Sequence, residues 1–137
     1  MSPGGEPCSC GSRGCWERYS SGSALRRAAR DRGFGREDTS HRVLATHADD
    51  PVARDLLDTV AAHFVDGLEV VSAVLDPSTV VLGGGLGTDP AFFDAVHTRY
   101  ARQAITPPRS RPQLTRGRLG NLAGAVGAAD LAAPGRT

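Results

Sequence analysis

All three cysteines of the chain fall within eight residues, Cys8, Cys10 and Cys15, with Gly11 and Gly14 between them. An odd number crowded into one stretch is a poor framework for stapling a fold with disulfides, and Cys8 and Cys10 cannot readily close a bond on each other. Three thiolates in a glycine-rich loop can instead converge on one tetrahedral ion, a donor set suited to zinc. A structural zinc site takes four protein ligands, and none of the seven residues before Cys8 is a histidine. The local sequence is therefore one ligand short. His41, His47, His63 and His97 are distant along the chain, and for each a satisfied or exposed histidine is the commoner role. Incidental thiols stand as the alternative to a metal.

A chain of 137 residues with 39% hydrophobic residues makes one modest domain. Sixteen basic against 15 acidic residues give a formal charge of +1, so no global field selects nucleic acid, an acidic partner or a membrane surface. Every basic residue is arginine, which excludes lysine Schiff-base chemistry and a self-contained Walker phosphate loop. The apolar run Val70 to Leu75, interrupted at Ser72, is far short of the roughly 20 residues of a bilayer span. Met1 to Glu6 has neither the basic nor the apolar region of a secretory signal, so a cytoplasmic location is the default expectation.

Residues 1–16 lack any hydrophobic period and are expected to form a loop. From Glu17 to about Arg32 the pattern predicts one helix burying Tyr19, Ala24, Leu25 and Ala28, ended by Gly33-Phe34-Gly35. Asp50 caps and Pro51 opens a long helix whose apolar stripe is Val52, Leu56, Val60, Phe64, Leu68, Val71 and Leu75, stopping at Asp76-Pro77. Thr79-Val80-Val81-Leu82 reads as a short buried strand running into Gly83-Gly84-Gly85. Asp89-Pro90 opens a helix to about Gln103. Pro107, Pro108 and Pro112 mark a loop before a strand over residues 113–119. Asn121 to Ala133 is small and apolar enough for a tightly packed helix. Helix, strand, glycine turn, helix, strand, helix is an α/β pattern.

The triple glycine is equally readable as a ligand-facing turn or as a plain strand-to-helix turn. Six arginines between Arg99 and Arg118, with no acid among them, are better explained as a solvated face than as a polyphosphate or nucleic-acid contact, because aromatic residues are not interleaved in the way that stacking requires.

Cys8-Ser9-Cys10-Gly11-Ser12-Arg13-Gly14-Cys15-Trp16-Glu17 resembles the CxCGxxGCxE signature of the ROK family of sugar kinases and repressors. Ser21-Gly22-Ser23-Ala24-Leu25, the run from Leu75-Asp76-Pro77 to Gly83-Gly84-Gly85, and the ending Leu119 to Ala129 are similar to further stretches of that family, in its order. The resemblance implies an α/β chain forming part of an actin-like, ribonuclease-H-like ATPase, here an incomplete lobe. Residues 1–16 would be its zinc-binding loop, 17–133 its body and 134–137 a tail, the phosphate-binding lobe lying elsewhere. It implies Cys8, Cys10 and Cys15 as metal ligands, with a histidine from a Glu-x-Gly-His segment as the fourth. It implies Glu17 as acceptor for sugar hydroxyls, which a carboxylate two residues after a metal anchor can serve. The alternative for Glu17 is an exposed acid favoured at a helix start. Gly83, Gly84 and Gly85 would face the nucleotide.

The family's Asp-x-Gly-Gly-Thr phosphate loop and its catalytic aspartate after asparagine have no counterpart in these 137 residues. Phosphoryl transfer needs a positioned base and donors around the γ-phosphate. The expectation is thus the C-terminal portion of a glucokinase-like hexose kinase using ATP with magnesium, inactive as this chain. The alternatives are the sugar-sensing part of a ROK-type transcriptional repressor, or a zinc-stabilised interaction module without catalysis. Expected partners are a hexose such as glucose and further copies in a homodimer or larger assembly, with neither membrane nor nucleic acid.

Overall fold

A computed structural model of the chain describes residues 4–35, 47–103 and 111–133. Its elements are α1 (Glu17–Ser20), α2 (Gly22–Asp31), α3 (Pro51–Leu75), β1 (Thr79–Leu82), α4 (Gly84–Gly87), α5 (Pro90–Arg102), β2 (Gln113–Arg116), a 3₁₀ turn (Gly120–Leu122) and α6 (Ala123–Ala132). His41, Pro107 and Pro108 lie outside the described residues.

The two Asp-Pro starts behave alike. Asp50 Oδ1 accepts from the Val52 amide at 2.8 Å and Asp89 Oδ1 from the Phe92 amide at 3.1 Å, each ahead of a proline whose fixed φ suits a first helical turn. The 25-residue α3 ends where Asp76 turns left-handed, at φ 43°, its amide still bonded to the Ser72 carbonyl. The helix expected over Glu17 to Arg32 is two. Ser21 leaves helical geometry (φ −109°, ψ 167°) so that its hydroxyl can accept from the Ala24 amide and start α2 afresh. Gly33, at φ 89°, follows the end of α2, as expected.

The core lies where α2, α3 and α5 meet. Leu25 and Ala29 come from α2. Ala53, Leu56, Val60, Ala61, Val65 and Leu68 line one face of α3, and Phe92, Val96 and Tyr100 follow at steps of four on α5. The expected stripe of α3 holds through its middle and fails at its ends: Val52, Val71 and Leu75 are exposed, because nothing among the described residues packs over them.

β1 and β2 pair in parallel, Thr79 opposite Gln113 through Leu82 opposite Arg116, and α5 supplies the crossover that a parallel pair requires. The strand expected to be buried is not. Leu82 is buried and Val80 is half-buried against the core, but Val81 is 61% exposed. β2 covers four residues rather than the seven expected. The closing helix forms, but no residue of α6 is buried, contrary to the expected tight packing. No described helix is long and apolar enough to cross a membrane.

Candidate functional site

The cysteine loop is built by its own backbone. The Cys8 amide donates to the Ser12 carbonyl at 2.8 Å, the Gly11 amide to the Cys8 carbonyl at 3.0 Å, and the Gly14 amide to the Glu6 carbonyl at 2.8 Å. Gly11 and Gly14 take φ of 88° and 68°, a region that side chains disfavour, which is why the reversals fall on glycines. The Glu6 amide donates to the Tyr19 hydroxyl at 2.8 Å, and Arg18 pairs with Glu6 at 3.6 Å, so α1 holds the segment that enters the loop.

These reversals bring together the three thiols. Their sulfurs lie within 4.8 Å of one another, and Cys10 Sγ and Cys15 Sγ are 3.5 Å apart. A tetrahedral ion with sulfur at about 2.3 Å places its sulfurs about 3.8 Å apart, so the cluster has the dimensions of a zinc site. Among the described residues the cluster stops at three ligands. His47 is edge-on to Phe34, His63 faces Tyr19 and His97 stacks on Phe93, so none of these joins it. Hydrogen bonding sets the two close thiols apart. Hydrogen bonds with the Ser12 backbone and with Cys15 and Cys8 hold Cys10 down at about 7, whereas those with Cys10 and Cys8 push Cys15 up to about 11.

Sequence reasoning missed how the loop is anchored. The Trp16 indole lies across α3 at Gly67, its Nε1 donating to the His63 carbonyl at 2.7 Å and its ring 5.4 Å from that of Phe64. Phe64 in turn meets Phe92 edge-on at 5.6 Å. An aromatic chain thus runs from the residue after Cys15 into the core. The available signal was a lone tryptophan beside the cysteines and a glycine inside a long helix, which costs about 1 kcal/mol relative to alanine.

Glu17 opens α1 two residues beyond Cys15, exposed and without a hydrogen-bond or ionic partner among the described residues. Gly83, Gly84 and Gly85 leave the end of β1. Gly83 and Gly84 have open space where a side chain would be, and Gly84 has φ 72°. A Cβ on Gly85 would come within 2.9 Å of Asn121 Oδ1, a neighbour that sequence reasoning had not paired with the turn. A cleft of about 350 Å³ brings Ser20, Ser21 and Gly22 together with Leu82, Gly83 and Gly87, so two stretches some 60 residues apart share one cavity. The described arginines of the arginine-rich stretch are exposed, as a solvated face would be; two of them also touch neighbours, Arg111 bonding the Tyr100 and Gln103 carbonyls and lying over the Tyr100 ring, and Arg116 lying over Phe93.

The ROK family is matched over residues 1–134. Glucokinase of Streptomyces coelicolor is 36% identical over 151 aligned residues, covering 96% of this chain and 48% of its own. A solved ROK family glucokinase from Streptomyces griseus, in complex with glucose and AMPPNP, superposes with a TM-score of 0.83 at 33% identity, over 98% of this chain and 49% of that one. A ROK family transcriptional regulator, a homologue of the Escherichia coli MLC protein, superposes with a TM-score of 0.66 at 20% identity, over 85% of this chain and 32% of that one. The chain spans about half the length of the Streptomyces glucokinases it matches.

Proposed function

The chain belongs to the ROK family, and from that premise we propose that it forms the sugar- and nucleotide-facing lobe of an ATP-dependent, glucokinase-like hexose kinase of actin-like, ribonuclease-H-like fold. The observation that carries this reading is its likeness, over nearly its whole length, to a glucokinase holding glucose and an ATP analogue. The regulator's likeness, at 20% identity, speaks to fold alone.

In this reading Cys8, Cys10 and Cys15 hold a structural zinc that fixes the loop before Glu17. Glu17, with no partner among the described residues, accepts hydrogen bonds from hydroxyls of the hexose. Gly83, Gly84 and Gly85 let the nucleotide approach backbone. Abstraction of the hydroxyl proton requires a base beside the sugar, a role that no motif in these residues fills, so the chain alone is expected to form no glucose 6-phosphate from ATP or polyphosphate. A coupled assay reads this, and turnover at an ordinary kinase rate of roughly 1–100 s⁻¹ would overturn the division of labour.

Binding is tested separately by amide NMR. Millimolar glucose should shift signals around Glu17, and Mg-ATP those of Gly83 to Gly85, with Glu17→Gln weakening glucose about tenfold. Glucose shifts without any nucleotide response at the glycines would count against the kinase and for the sugar sensor.

Zinc binding has an internal reporter, because the only tryptophan is next to Cys15. Trp16 emission should change on zinc addition and saturate at one ion per chain. Cys15→Ser should weaken the apparent affinity at least about tenfold. Equal zinc binding by wild type and Cys15→Ser would remove the thiols from the site.

A further inference from the structure

We propose that Cys10 and Cys15 are a reversible redox pair, closing to a disulfide under a hydroperoxide and reopening with a dithiol, and thereby deciding whether the loop keeps its three-thiol cluster. The inference rests on thiol geometry and is independent of the hexose-kinase reading. The two sulfurs are 3.5 Å apart, and a bond needs about 2.05 Å, a closure within reach of side-chain rotation. The intervening chain contains Gly11 and Gly14, both already in the left-handed region where glycine moves at little cost.

Cys8 is the less suitable partner. It is separated from Cys10 by one residue, too short a span for an unstrained disulfide, and its backbone is bonded on both sides, by its amide to Ser12 and its carbonyl to Gly11. Exposure assigns the order of events: Cys10 is exposed, whereas Cys15 is half-buried. The Cys10 thiolate attacks one peroxide oxygen. The O–O bond breaks, water or an alcohol departs, and Cys10 becomes a sulfenic acid, oxidised by two electrons as the peroxide is reduced. The Cys15 thiolate then attacks the Cys10 sulfur, forming the S–S bond and expelling hydroxide, which leaves as water on taking a proton. Two thiols and one hydroperoxide thus give one disulfide, one alcohol or water, and one further water. A dithiol reverses this by exchange. Closure removes two of three thiolates and with them the loop's capacity for a metal.

The test treats the purified chain with a small excess of hydrogen peroxide, once after chelation and once after zinc loading, and maps the products by peptide mass spectrometry. The expected product is a Cys10–Cys15 link in single chains, with Cys8 still open to alkylation and full recovery after dithiothreitol. Cys8→Ser should form the link at a rate within about twofold of wild type, whereas Cys10→Ser and Cys15→Ser should form any intramolecular link about tenfold more slowly or not at all. In the zinc-loaded arm a chromogenic chelator should register zinc release in step with the link. Links mainly through Cys8, covalent dimers, or sulfinic acid at Cys10 without a link would overturn the proposal. A link formed with zinc fully retained would overturn its consequence for the metal. Failure of the chain to take zinc would refute the metal site above while leaving the chelated arm decisive for the redox pair.

Discussion

Gly67→Ala is expected to destabilise the protein by about 2–3 kcal/mol and to lower its melting temperature by roughly 10 °C, although alanine is the better helix former. On propensity alone the change in mid-helix would add about 1 kcal/mol of stability. The added Cβ, however, would fall inside the indole of Trp16, on its Cε2, Nε1 and Cδ2. The indole must leave, and with it go the hydrogen bond to the His63 carbonyl and the contact with Phe64. Losing a packed indole and leaving its N–H partner bare outweighs the propensity gain. A double-mutant cycle measures the clash. In a Trp16→Ala background, Gly67→Ala should become neutral or stabilising, giving a coupling of about 2 kcal/mol or more in denaturant titrations. Additive single effects would show that the indole does not rest on α3 in solution.

Phe92→Ala should cost more, about 3–5 kcal/mol, a large share of the roughly 5–15 kcal/mol that holds a domain of this size together. Phe92 is 1% exposed in the core between α3 and α5, edge-on to Phe64. Alanine there leaves a cavity that the helices on either side cannot close, because Leu56, Val65 and Val96 are themselves fully buried and already packed. The expected readout is a large fall in the denaturation midpoint, while Phe92→Leu, which refills most of the volume, should lose under about 1.5 kcal/mol. A midpoint for Phe92→Ala near that of the wild type would mean that the core is centred elsewhere.

What could be read from the chain was local. Asp50-Pro51 and Asp89-Pro90 carry cap and first-turn residue in adjacent positions, so both helix starts fall where expected. The thiol cluster was legible for the same reason, since glycine reversals within eight residues leave the sulfurs little choice. The break at Ser21 was hidden because both sides of it suit a helix, although Ser21-Gly22-Ser23 contained the cap. Burial could not be read in the same way. Val80, Val81 and Leu82 have the composition of a covered strand, but composition reports what a segment would bury, and the cover itself is a matter of tertiary packing. Trp16 and Gly67 are 51 residues apart, and no pattern within a window of either one announces the other.

The bare surface of α6 has a consequence for how the molecule breathes. A helix of ten residues is marginal in water on its own propensity, and this one includes Gly124 and Gly127 while burying nothing. Its amides can therefore open without disturbing α3, whose buried face must come apart with the core. Amide hydrogen exchange should divide the chain accordingly, with residues 123–132 exchanging within seconds at neutral pH and the inner turns of α3 protected close to the limit of global unfolding. Folding cooperativity then ends near β2, and the last helix is a passenger on it, free to order further against whatever surface it meets.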